Sequence, residues 1–162
     1  MEETSTKVTQ GGEIKIISFK VANSVYAVDI LKINSIQKYQ KPTQLPEQPN
    51  FIEGIINIRG EVVPVINLRK KFGFEPLSDY TESKILVVMI RDKKVGMIVD
   101  DISEVMYLTK DQLEEQIDGV GGLQKKFIQA IAKIKDGSML VVIDPEKVLG
   151  SEEIIQLTNL EG

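Results

Sequence analysis

The chain has 162 residues, room for one ordinary domain or two small halves, and its 42% hydrophobic and 27% charged residues are those of a soluble globular protein. No apolar run approaches the roughly 18 residues that a membrane span needs, so no direct membrane insertion is expected. With no histidine and no cysteine, the usual zinc, copper and haem sites, disulfides and Ser–His or Cys–His nucleophiles are excluded, and no metal or cofactor is expected.

A net charge of −4, 6% aromatic residues and no tryptophan argue against nucleic acid as a partner. The charge is uneven: residues 1–81 carry 10 basic and 9 acidic groups, residues 82–162 carry 10 and 15.

Residues 1–12 are polar, end in Gly11-Gly12 and lack a signal-peptide core, so they read as a disordered arm and imply a cytoplasmic location. Ile14–Val21 has strand composition, Asn23-Ser24 makes a turn, and Val25–Asp29 returns as a strand. Ile30, Ile33 and Ile36 sit three apart, which suits a helical turn feeding a third strand. Residues 40–50, QKPTQLPEQPN, hold three of the six prolines and read as a stiff exposed loop. In Phe51–Gly73, FIEGIINIRGEVVPVINLRKKFG, apolar β-branched runs flank an Arg59-Gly60-Glu61 turn, the signal of a hairpin. A helical turn over Leu68–Phe72 is stopped by Gly73, and residues 73–83 form a polar linker.

A second round then begins. Lys84–Ile90 and Val95–Val99 are strands about an Asp92-Lys93-Lys94 turn, and Tyr26–Ile36 falls on Val95–Val105 at an offset of 69. Ile33 thus corresponds to Ile102 and Ile36 to Val105. Thr109 and Gln112 have the spacing of a capping box opening a short helix through Gln116, and residues 117–126 form a glycine-rich loop. Phe127–Gly150 repeats Phe51–Gly73 at an offset of 76, then 77 after one inserted residue. Phe51 matches Phe127, Ile66 matches Ile143, Gly73 matches Gly150, and Asp144-Pro145 caps a turn matching Asn67-Leu68. Ser151–Leu160 reads as an amphipathic helix with Ile154, Leu157 and Leu160 on one face.

This duplication predicts an all-β protein of two units, residues 13–82 and 83–150, followed by a helix and tail over 151–162. Units of about 70 residues are marginal alone and should pack together. Short twisted sets of five strands favour closed barrels, which remove exposed edges. A seam between barrels would form a groove, with Ile30 and Ile33 facing their counterparts Val99 and Ile102.

Catalytic constellations are absent from the pattern. Asp100-Asp101 would point to opposite faces of a strand and, like Glu114-Glu115, reads as solvated surface. Gly119-Val120-Gly121-Gly122 lacks the GK[ST] ending of a phosphate loop. Lys93-Lys94 and Lys125-Lys126 read as solvated basic pairs. Arg59, at a hairpin tip emerging from isoleucines, is the charge of interest, because arginine is over-used as an interface anchor.

GIINIRGEVVPVINL (Gly54–Leu68), VYAVDILKINSI (Val25–Ile36) and VGMIVDDISEVMYLTKDQL (Val95–Leu113) together resemble the CheW-like domains of bacterial chemotaxis, over roughly residues 13–150. The resemblance implies two SH3-like five-stranded β-barrels and a non-enzymatic adaptor, monomeric in isolation and part of receptor arrays. Its partners would be the cytoplasmic tip of transmembrane chemoreceptors and the regulatory domain of the histidine kinase CheA. Carried over by position, the receptor tip would lie in the groove between barrels, against Ile30, Ile33, Ser35, Val99 and Ile102, with Arg59 of the NxRG motif tied to receptor coupling. The kinase would be gripped through Pro46, Glu53, Gly54, Gly60, Glu61 and Val62. Ser35 stands where the family commonly has glutamate, Ala27 where it has glycine and Asn67 where it has aspartate. A scaffold of another two-component kinase pathway, or a CheV-like fragment, is the alternative.

Overall fold

Alternating and continuous β-branched runs become strands wherever the sequence carries them. The computed structural model describes residues 13–114 and 127–149; the expected N-terminal arm, glycine-rich loop and C-terminal helix lie outside the described residues. The described elements run β1 (Glu13–Val21), β2 (Ser24–Asp29), β3 (Ile33–Lys38), β4 (Ile52–Ile58), β5 (Glu61–Asn67), α1 (Leu68–Lys71), β6 (Lys84–Ile90), β7 (Lys93–Val99), β8 (Asp101–Thr109), β9 (Leu113–Glu114), β10 (Ile128–Lys133), β11 (Met139–Ile143) and α2 (Pro145–Val148). Short 3₁₀ turns at Ile30–Lys32 and Lys110–Gln112 link β2 to β3 and β8 to β9. At the second, the Thr109 N–H donates to Gln112 Oε1 (2.8 Å), but the chain then goes straight into β9 rather than continuing as a helix.

The strands form two sheets, one in the order β8-β1-β2-β11-β10-β9 and the other β3-β6-β7-β5-β4. The expected pair of five-stranded SH3-like barrels does not form. One sheet has six strands and the other five, each contains one parallel pair, and both are open, with β8 and β9 ending the first and β3 and β4 the second. The physical reason lies in the crossovers. The chain leaves the first sheet at Ile30–Lys32 and returns to it after Val99, so β3 and β8 each pair in the sheet opposite to the hairpin that precedes them. In the five-stranded sheet, a loop rather than a ladder spans the gap between β3 and β4. Its Thr43 exchanges two backbone hydrogen bonds with Ile55 (2.8 and 3.0 Å).

The sequence repeat reappears as register. Val65 pairs with Gly96 across parallel β5–β7, and the corresponding Val142 pairs with Ala27 across parallel β11–β2. Ile33 opposes Val88 where Ile102 opposes Phe19. Both long hairpins carry an irregularity at the same place, between Ile52 and Gly54 and between Ile128 and Ala130. The N–H of Asn67 donates to the Phe51 carbonyl (2.7 Å), and that of Asp144 to the Phe127 carbonyl (2.9 Å). Asn67 and Asp144 then cap α1 and α2 with their side chains, as their N-cap chemistry predicts.

Three apolar clusters follow from this arrangement. The largest joins the facing sides of both sheets and includes Phe19, Val28, Ile66, Leu68, Phe72, Leu86, Met97, Val99, Phe127, Ile143 and Leu149. The second contains Ile14, Ile16, Ala27, Leu108, Leu140 and Val142, all from the six-stranded sheet. The third holds Ile56, Val63, Val65, Ile85, Val87 and Ile98 from the five-stranded sheet. Tyr39 and Tyr80, from the segments after β3 and before β6, pack against the third cluster, and strand twist curls each sheet over its own far face.

Candidate functional site

The first crossover is a rigid projection. Asp29 Oδ1 accepts the Leu31 N–H (2.9 Å) and starts the 3₁₀ turn. At three residues per turn Ile30 and Ile33 share one side and Leu31 takes another. Ile33 packs on the shared core, Ile30 is half-buried and Leu31 is 64% exposed. Lys32 is drawn back to Asp144 (3.4 Å). Beyond the turn, Ser35 is half-buried and accepts from Gln37 Nε2 (3.0 Å), while Ile36 is exposed.

The second crossover, at the corresponding position, is closed instead. Asp100 aligns with Leu31 and accepts Arg69 Nε at Oδ1 (2.9 Å) and Arg69 Nη2 at Oδ2 (2.7 Å). Its Oδ2 also accepts the Ala22 N–H (2.9 Å), and its own N–H donates to the Lys20 carbonyl (2.8 Å). The hydrogen bonding to Asp100 raises the Arg69 pKa, against a smaller opposing effect of burial. Asp100 is therefore a clasp and not the solvated carboxylate expected from sequence. Next to it Val99 is 1% exposed inside the shared core, so it lines no accessible surface; Ile102 is half-buried at the core's edge.

At the β4–β5 tip both turn residues have positive φ, 52° at Arg59 and 86° at Gly60, the signature of a type I′ turn. Asn57 Oδ1 accepts the Gly60 N–H (2.9 Å), and Glu61 pairs with Lys94 Nζ (2.6 Å). Arg59, Gly60, Glu61, Val62 and Pro46 are exposed. Glu53 is turned to structural use: its Oε2 takes Asn67 Nδ2 (2.9 Å) and Lys70 Nζ (2.8 Å), and Asn67 also donates to the Tyr80 hydroxyl oxygen (2.8 Å). Gly54 is buried against the proline-rich loop, where a Cβ would lie 2.0 Å from the Thr43 carbonyl oxygen. Gln40 Nε2 reaches the Asn57 carbonyl (3.3 Å), bringing the chain after β3 against this hairpin.

One feature escaped the sequence reading. Tyr26, Phe72, Phe74 and Phe127 line a cleft of about 290 Å³ with Ser24, Ile128, Ile131, Val141 and Ile143. Phe72 is its centre, 5.3 Å from the Tyr26 ring, 5.2 Å from Phe127 and 6.5 Å from Phe74. Burial raises the Tyr26 hydroxyl pKa, with a side-chain hydrogen bond from Ser24 opposing it. No sequence spacing connects these positions, because the interleaved sheets alone bring them together. The cleft carries no carboxylate, lysine or arginine, and no cluster able to hold a metal occurs among the described residues. No described helix is long and apolar enough to cross a membrane.

Charge divides between the sheets. Residues 30–99, which build the five-stranded sheet, carry 11 basic and 7 acidic side chains, a net +4. The described residues of the six-stranded sheet and its connections carry 6 and 10, a net −4.

Residues 15–153 match the family model of the CheW-like domain. The chain is 34% identical over 153 residues to the chemotaxis protein CheW of Klebsiella aerogenes, covering 94% of this chain and 90% of that protein. It is 36% identical over 138 residues to the chemotaxis protein CheW of Bacillus subtilis, covering 85% and 88%. Among solved structures, the scaffolding protein TtCheW from Thermoanaerobacter tengcongensis superposes with a TM-score of 0.78 at 34% identity, covering 86% of this chain and 94% of that one.

Proposed function

The chain belongs to the CheW-like domain family and is a non-enzymatic chemotaxis adaptor; from that premise we propose that it couples the cytoplasmic tip of a transmembrane chemoreceptor to the regulatory domain of the histidine kinase CheA. The observation that carries the proposal is the family match over residues 15–153. The surface chemistry supports it: exposed Leu31 and Ile36 beside half-buried Ile30 and Ile33 offer an apolar strip to an amphipathic helix, with Ser35 on the other face of β3 and exposed Arg59 as a charged anchor. Exposed Pro46, Gly60, Glu61 and Val62 are the candidate kinase contact, while Glu53 and Gly54 shape it from beneath. The adaptor works in the cytoplasm and is recruited to receptor arrays by these contacts.

With no turnover, such a protein transmits signal only by contacting the kinase differently in its two activity states. Titrating the full chain with a receptor-tip fragment and with the CheA regulatory domain tests the reading. Saturable binding to both is expected, weakened for the receptor fragment by Arg59→Glu. Binding to neither at tens of micromolar would end it and favour the scaffold of another two-component pathway.

A further inference from the structure

The β4–β5 tip has a neighbour of the same construction. At the β6–β7 tip Arg91 and Asp92 have φ values of 50° and 66°, between the pair Ile90 and Lys93. Each of the two hairpins thus turns through a type I′ loop whose first residue is arginine in the left-handed region. Asparagine or glycine occupies that position at low cost, whereas a long side chain there carries backbone strain. β5 and β7 are hydrogen-bonded and parallel, and Glu61 pairs with Lys94 between them, so the two tips lie side by side. Both arginines are exposed, and neither guanidinium is engaged by a carboxylate among the described residues. Asp92 and Lys93 follow Arg91 in sequence, and the sheet bearing both tips has the net +4.

Strain retained twice, at adjacent exposed tips and with the same cation, indicates a use for the side chain. We infer that Arg91 is a second docking residue beside Arg59, and that the paired tips take an acidic helical segment of the chemoreceptor tip. Arg59 follows β4 and Arg91 follows β6, three strand spacings apart in the order β6-β7-β5-β4, roughly 14 Å at about 4.8 Å each; carboxylates two to three turns apart on one helix span a similar distance, and each guanidinium can hold one carboxylate by two hydrogen bonds. The inference rests on the adaptor reading above and adds the chemistry of that contact.

The test is a titration of the full chain with the receptor-tip fragment at several salt concentrations. Arg91→Glu should weaken binding about tenfold and flatten its salt dependence. Arg91→Asn should be at least as resistant to heat as the wild type and still bind the fragment more weakly, a combination that a merely structural arginine would not produce. Wild-type binding and salt dependence in both variants would remove Arg91 from the site and leave the adaptor reading intact. A wild-type chain that ignores the receptor fragment would overturn both.

Discussion

Arg69 holds Asp100 through both carboxylate oxygens, at 2.9 and 2.7 Å, and thereby ties the helix after β5 to the crossover that returns the chain to the other sheet. The pair is largely shielded, with side chains 17% and 21% exposed, and Asp100 also satisfies the Ala22 N–H. It locks one crossover, while the corresponding position in the first copy, Leu31, stays outside.

Asp100→Ala should therefore cost about 1–3 kcal/mol, since it leaves two guanidinium N–H groups of Arg69 and the Ala22 backbone N–H without their acceptor. Arg69→Met should cost less, and a double-mutant cycle by urea denaturation should return a coupling of about 1 kcal/mol or more. Additive losses would show that the clasp contributes only through its separate ends.

Because each sheet draws strands from both copies, neither copy alone can complete a core. Fragments 13–82 and 83–150 should each lack a cooperative unfolding transition, and mixing them should restore β-sheet circular dichroism and a single transition. A fragment that folds alone would mean that strand exchange is not required for stability.

Two glycines should respond differently to an added methyl group. Gly54 has φ +135° and no room before the Thr43 backbone, so Gly54→Ala should cost about 3 kcal/mol and free the proline-rich loop to proteolysis. At Gly96 the nearest atom is Ile85 Cγ2, at 2.8 Å, and a side chain can shift. Its counterpart in the first copy is Ala27, fully buried, so Gly96→Ala should cost only about 1 kcal/mol. Equal losses in thermal denaturation would contradict this.

Phe127 stacks on Phe72 at an interplanar angle of 20° and is 8% exposed. Phe127→Ala should destabilise the protein by about 3–5 kcal/mol with an unchanged urea m value, because it removes a buried aromatic ring from the cluster that joins the two sheets among the described residues. A loss below about 1 kcal/mol would mean the cleft collapses to fill the space.

Much of the local structure was legible without coordinates. Apolar β-branched runs marked the strands other than β8 and β9, glycine-bearing turns marked the β4–β5 hairpin, and Asn67 and Asp144 announced α1 and α2, because propensity and capping act within a few residues. The duplication was readable too, since offsets of 69, 76 and 77 align residues that later proved to share register. Among candidate site residues, the tip at Arg59 and Gly60 was recoverable for the same local reason. The three-residue spacing points to Ile30 and Ile33, the inward side of the turn, and carries no signal for Leu31 on its outer side.

What the chain alone determined is which residues pair in each hairpin and that the set is written twice. Tertiary structure decided the rest: which sheet receives β3 and β8, that both sheets stay open, that Val99 is sealed and Asp100 clasped, and that Tyr26, Phe72 and Phe127 meet. Hairpin contacts close short loops and are encoded nearby, whereas the partner of a crossover strand is chosen by burial across the whole molecule. Two copies with nearly the same pattern offer two nearly equivalent partners, and only the packing of the shared core distinguishes them.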